Sequence, residues 1–257
     1  MDANYHTHTF RCGHARGSDE QYVKAAIDAG FKILGFSDHA PYQDIHIPSD
    51  RMDMDQLEEY LTSLMTLRER YKDKIDIKIG FEIEYFPFMH EYYRFLLERA
   101  DYLIVGQHNP VFLTHDLDMY AGEEEIETYG DLVVQAIESG LVSMVAHPDY
   151  FMIGRRSWPA NGDAVAHRIA AAAAKHRVPL EINLNGLRYG TKVFDGEPLH
   201  VYPYRRFWEI VAQHDVLCVY GVDAHHPTTL MERERLTIVN QILSDLPLTI
   251  VENYRLP

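Results

Sequence analysis

Cysteine is almost missing from this chain: Cys12 and Cys218 are its only two among 257 residues. Two cysteines cannot build a disulfide framework, which excludes a small stapled secreted scaffold and fits a reducing compartment. Cys218 lies inside the apolar run Val216-Leu217-Cys218-Val219 and reads as a packed core thiol. Cys12 sits in a polar loop near His8 and His14, where a metal-binding thiol and a mere neighbour are both open readings. Basic residues are also in deficit, 24 Lys and Arg against 39 Asp and Glu, giving a formal net charge of −15. Such a field repels phosphate backbones and disfavours nucleic acid as a partner. No apolar run is long enough to span a bilayer, so no membrane partner is expected. A basic-then-apolar leader, a Gly/Ser linker, internal repeats and low-complexity tracts are all missing. The expectation is one cytoplasmic domain covering residues 1–257.

Histidine, by contrast, is plentiful at 15 copies. Its placement matters more than its number. Seven short apolar runs end, in order, at His6-Thr7-His8, Asp38-His39, Glu82, His108, His147, Asn183 and Asp223-Ala224-His225. The strands predicted from these runs cover 5–8, 33–37, 77–83, 102–106, 141–146, 180–184 and 216–222, and several are continuously apolar, as parallel strands covered on both faces are. Helical periodicity fills the gaps. Ser18 and Gln21 have capping-box spacing, with Gly30 as the stop. Further apolar stripes run through Leu57 to Tyr71, Ile126 to Ile137, Ala164 to His176, Phe207 to Ala212 and Leu236 to Leu243. Alternating strands and helices permit an open doubly wound sheet or a closed barrel. Seven strands delivering polar residues at the same end favour closure, so the expected fold is α/β, a distorted seven-stranded (β/α)7 barrel of the TIM-barrel type.

The residue types at those ends suit zinc, manganese or iron. His6 and His8, two apart on an extended strand, face one side and can reach one ion. His14 follows in a loop containing Gly13 and Gly17. A carboxylate in the apolar run Gly80-Phe81-Glu82-Ile83-Glu84-Tyr85 is costly unless it faces a cation or a partner, and Glu82 and Glu84 share that facing. His108 or His147 alone would read as an ordinary core histidine. Together, seven histidines, an aspartate and a glutamate exceed what one tetrahedral ion needs. Two or three metals with shared carboxylates would use them all.

The motifs His6-Thr7-His8 with His14, Gly35-Phe36-Ser37-Asp38-His39-Ala40-Pro41, Gly80-Phe81-Glu82, His108, Ala146-His147-Pro148-Asp149, Glu181-Ile182-Asn183 and Gly221-Val222-Asp223-Ala224-His225 resemble those of the polymerase-and-histidinol-phosphatase (PHP) superfamily, its stand-alone histidinol-phosphate phosphatases above all. The resemblance implies a site for two to three divalent ions. His6, His8, Glu82 and Asp223 would hold the first. Glu82 would bridge to a second held by His108 and His147, and His14, His39 and His225 would hold a third. It selects Glu82 over Glu84.

The activity implied is hydrolysis of a small phosphomonoester, L-histidinol phosphate first, by in-line attack of a hydroxide held between two ions, with Glu82 and Asp223 as catalytic residues. Arg155, Arg156, Arg188 and Asn183 are candidates for binding substrate, since arginine forks suit phosphate oxygens. Asp149 is a candidate general acid or an orienter of His147. The competing readings are nucleotide, sugar-phosphate or phosphotyrosine hydrolysis, and a metal-dependent nuclease or editing module. The variable loops 43–53, 113–125 and 189–204 are expected to read the non-phosphate end of the substrate.

Overall fold

A computed structural model describes residues 1–114 and 116–256; His115, within the expected variable loop 113–125, and Pro257 lie outside the described residues. Eight parallel strands form one curled sheet in the order β1 (Ala3–Asn4), β2 (Ile33–His39), β3 (Asp76–Ile83), β4 (Tyr102–Val105), β5 (Met144–Val145), β6 (Leu180–Asn183), β9 (Leu217–Gly221) and β10 (Thr249–Ile250). Two edges of the curl meet. At the amino-terminal end, Asp2 and Ala3 donate their amides to the Glu252 carbonyl just past β10, at 2.9 and 3.2 Å. At the carboxyl end, the continuation of β1 bridges that of β9 at Thr7 and Ala224, with the His8 amide 3.0 Å from the Ala224 carbonyl. Seven strands in the expected order therefore form the TIM-like barrel, although the first lies at Ala3–Asn4, ahead of the expected 5–8, where Thr7 makes an isolated bridge; β10 is an eighth, short wedge at the bottom that carries no candidate ligand.

Helices cover the outside: α1 (Asp19–Ala29), α2 (Leu57–Tyr71), α3 (His90–Leu97), α4 (Glu123–Glu138), α5 (Gly162–His176), α6 (Arg205–Val211) and α7 (Arg233–Leu243). The Ser18 capping box forms in full, and Gly30 closes α1 at φ 86°. The expected stripes cover every helix except α3, which buries one face through Tyr93 and Leu96. None of the helices described is long and apolar enough to cross a membrane.

Alternation along each strand separates two cores. Leu34, Phe36, Phe81, Leu103, Val105, Leu180, Ile182 and Cys218 face outward onto the helices. Ala3, Tyr5, Ile33, Tyr102, Ile104, Met144, Ala146 and Val219 fill the barrel interior. Each buried large side chain contributes roughly 1.5–3 kcal/mol. The Tyr102 hydroxyl lies 2.7 Å from the Tyr5 carbonyl and 3.0 Å from that of Phe36, so the interior plug is tied to two strands. Above this plug the same inward columns continue into polar residues. Strand register sets His39 beside Glu82 and Asn183 beside Gly221.

The segment between β6 and α6, expected as a variable loop, contains an antiparallel hairpin of β7 (Thr191–Phe194) and β8 (Glu197–His200). Asp195 and Gly196 turn it with φ of 49° and 95°, as a tight two-residue hairpin requires.

Candidate metal centre

His6 and His8 leave β1 with their rings turned inward, and their Nε2 atoms are 3.2 Å apart. Glu82 Oε2, from β3, is 3.4 Å from each. Asp223 Oδ1, just past β9, is 3.6 Å from His6 Nε2 and 3.3 Å from His8 Nε2. Four donors held at zinc bond lengths on tetrahedral corners would be about 3.3–3.6 Å apart. The spacing of both imidazoles from each other and from the two carboxylates fits that requirement. Asp223 Oδ1 is also buried with no hydrogen-bond partner, although three imidazoles crowd it; His225 Nδ1 is the third, at 3.2 Å. A cation would satisfy it.

The other oxygen of Glu82 faces a second group. Glu82 Oε1 lies 2.9 Å from His147 Nε2 and 3.8 Å from His108 Nε2. One carboxylate thus serves two sets of imidazoles, as a bridging ligand must. Space for it comes from the residue just past β4: a Cβ at Gly106 would sit 1.8 Å from Glu82 Oε1. His147 and Asp223 both adopt left-handed backbone, at φ 29° and 50°. Such strain costs about 1–3 kcal/mol per residue and gathers at functional sites.

His14, His39 and His225 lie on the same rim but spread out. His39 Nδ1 is 3.3 Å from Glu82 Oε2 and groups with His8. His225 stacks on His8 at 4.1 Å and on His14 at 4.8 Å between ring centres. The His14 Nδ1 is 2.9 Å from the Cys12 carbonyl. Cys12 is fully buried, and its sulfur falls with His8 and His225 within donor range of one another.

Three carboxylates outside the cluster face the distal nitrogens of its histidines: Glu181 to His6 at 2.9 Å, Asp38 to His8 at 3.4 Å and Glu84 to His108 at 3.5 Å. Glu84 is therefore turned away from Glu82's task. Sequence reasoning gave Glu181 no role, although a carboxylate in the apolar run Leu180-Glu181-Ile182 carries the signal that singled out Glu82.

Burial alone would strip the proton from each histidine, but anions decide the outcome. At His6 the opposing charges of Glu181, Asp223 and Glu82 outweigh burial and raise the pKa well above the imidazole range. At His8, contacts with Asp223 and Asp38 do the same. His108 rises to about 9 against burial, through Glu84 and Glu82. Burial wins at His39, which falls well below its ordinary value, and at His225, which falls to about 4. Protons thus stand where cations would. A metal must displace them, so its affinity should climb as pH rises from 6.5 towards about 9, the value reached by His108. Chelator competition across that range checks this; an affinity independent of pH would contradict it.

The cluster floors a cavity of about 410 Å³, walled also by Arg188, Asp116, Asp118, Tyr150, Tyr189 and Tyr202. Of the arginines proposed from sequence, Arg188 lines it, with its NH2 2.7 Å from the Tyr189 hydroxyl. Arg155 does not: its guanidinium is spent on the carbonyls of Ala121 at 2.9 Å and Ser157 at 3.3 Å. Arg156 is exposed, bonds the Arg155 carbonyl and is likewise outside the wall. Asn183 is buried below it, its amide reaching Glu181 at 2.8 Å and Asp223 at 3.2 Å. Asp149 is also sealed in. Its Oδ2 accepts from the Tyr204 amide at 2.6 Å and the Trp208 indole at 3.0 Å, and burial raises its pKa to about 7. It does not line the cavity, which leaves it no path to a leaving group. A wider depression of about 690 Å³ between α1 and α2 offers no comparable chemistry; Arg11 there is pinned by Asp19 and Glu59.

Comparison with known proteins places this geometry. The family model described as "PHP domain" matches residues 4–185. The "Probable histidinol-phosphatase" of Deinococcus radiodurans is 28% identical over 234 residues, covering 86% of this chain and 85% of the relative. Among solved structures, the histidinol phosphate phosphatase of Lactococcus lactis subsp. lactis, complexed with zinc, L-histidinol and phosphate, superposes with a TM-score of 0.72 at 16% identity, covering 97% of this chain and 95% of the other. That likeness establishes a shared fold.

Proposed function

The chain belongs to the PHP domain family, and on that premise we propose that it is a metal-dependent phosphomonoesterase that converts L-histidinol phosphate to L-histidinol and phosphate in the cytoplasm. One observation carries the reading: the Nε2 atoms of His6 and His8 lie 3.2 Å from each other and 3.3–3.6 Å from both Glu82 Oε2 and Asp223 Oδ1, while the second Glu82 oxygen faces His147 and His108. The first quartet would hold one divalent ion. Glu82, His108 and His147 would hold another, and His14, His39 and His225 a third. Zinc, manganese and iron all suit these donors. When bound, such ions make water acidic enough to be a nucleophile near neutral pH and neutralise phosphate charge.

The chain's own groups do the rest. Glu82 joins the two ligand sets, and Asp223 turns Oδ1 toward them while Asn183 holds its other oxygen. Arg188, at the cavity wall, offers a guanidinium fork to phosphate oxygens. The aromatic rings of Tyr150, Tyr189 and Tyr202 line one side of the cavity and leave room for a small organic group.

The name of the Deinococcus relative favours histidinol phosphate over other esters. The test is phosphate release by metal-loaded protein from L-histidinol phosphate, nucleotides, sugar phosphates, phosphotyrosine and single-stranded DNA. The expected result is the highest kcat/KM on histidinol phosphate and no cleavage of DNA. Faster turnover of any other substrate in the panel would reassign the substrate.

A further inference from the structure

Glu181 lies on β6 beneath the ligand cluster and is wholly buried. Its carboxylate meets three donors. The His6 Nδ1 is 2.9 Å from Oε1, while the His147 amide and the Asn183 side-chain amide donate to Oε2 at 3.0 and 2.8 Å. Asn183 also reaches Asp223 Oδ2 at 3.2 Å. One buried anion therefore touches a ring of the first ligand set and the backbone of a residue in the second. Through Asn183 it also steadies the second carboxylate of the first set. Room for it is built into β9: a Cβ at Gly221 would come 1.7 Å from Glu181 Oε1.

We propose that Glu181 is a positioning residue that couples the two ion sites, so that both lose affinity together when it is altered. The inference rests on the metal-centre reading above. Its physical basis is that every neighbour named here is a donor, so the position demands a group that only accepts. With Nδ1–H held by Glu181, His6 must present the lone pair of Nε2 to the cluster. The bond to the His147 amide fixes a residue whose left-handed backbone has no intrinsic reason to persist. A glutamine at 181 would turn its NH2 against one or more of these donors, so it cannot substitute. Glu84 is the natural contrast. It faces His108 Nδ1 at 3.5 Å and the Asn109 amide, and touches no residue of the first set.

The experiment withdraws zinc from the loaded full-length protein with a graded chelator and counts the zinc retained, for wild type, Glu181→Gln, Glu181→Asp and Glu84→Gln. In wild type at least two zinc ions should resist the chelator. Glu181→Gln should weaken both by roughly 10–100-fold, while Glu84→Gln weakens one. Glu181→Asp, which keeps an acceptor-only headgroup, should recover part of the loss at both, and it is read in the same way if the glutamine variant does not fold. Thermal melting of the metal-free proteins separates lost positioning from lost folding: comparable melting with lowered affinity supports the coupling. Unchanged retention in Glu181→Gln, or loss confined to one ion, would overturn it. A wild type that retains no zinc would instead overturn the metal centre itself and this coupling with it.

Discussion

Glu82→Gln should lose its divalent ions and drop phosphate release by at least two to three orders of magnitude, about the cost of removing one dedicated transition-state donor or more. The glutamine side chain has almost the same shape, so the change is electrostatic. Glu82 is buried, and burial would favour its neutral form; the charge of His6 and the hydrogen bond with His147 hold it ionised instead, with its pKa well below the carboxylate range. Its two oxygens face separate sets of imidazoles, at 3.4 Å to His6 and His8 and at 2.9 Å to His147. An amide supplies one weak oxygen donor and turns an NH2 toward the other set. Metal analysis and phosphate release on the same preparation read the outcome. Wild-type activity with fewer ions would detach catalysis from the cluster.

Arg188→Ala should raise KM for the phosphate ester and lower kcat/KM by roughly ten- to a hundredfold, the value of one hydrogen bond to a charged group. Arg188 is the arginine, of the three proposed, that reaches the cavity wall, and the Tyr189 ring lies 4.7 Å beneath its guanidinium. Arg155→Ala should leave kcat/KM near wild type, because its nitrogens serve the carbonyls of Ala121 and Ser157. Steady-state kinetics on both variants decides between them; the reverse pattern would move the phosphate toward the loop after β5.

The candidate ligand cluster was legible in sequence because a buried histidine or carboxylate is expensive, so its recurrence at successive strand ends needs a cause. Period-two alternation limits that kind of reading. It puts Glu82 and Glu84 on one face, and only their contacts separate a ligand between two imidazole sets from a partner of His108 and Asn109. Glu181 stands in a matching motif but drew no role because no histidine adjoins it in sequence; its partners lie just past β1 and β5 and on β6. The arginines were ambiguous because loop conformation, not strand register, aims them. The β7–β8 hairpin was avoidable: Asp195-Gly196 is a strong turn signal, flanked by Val193-Phe194 and a short extended partner. The β10 strand was not, since two residues bearing no ligand leave nothing to recognise.

Crystals of the zinc-loaded protein, measured at the zinc absorption edge, test the shared centre most directly. Anomalous peaks should fall in contact with His6, His8, Glu82 and Asp223 and with Glu82, His108 and His147, with Glu82 touching both. Peaks elsewhere on the barrel, or a Glu82 carboxylate in contact with no ion, would contradict the account.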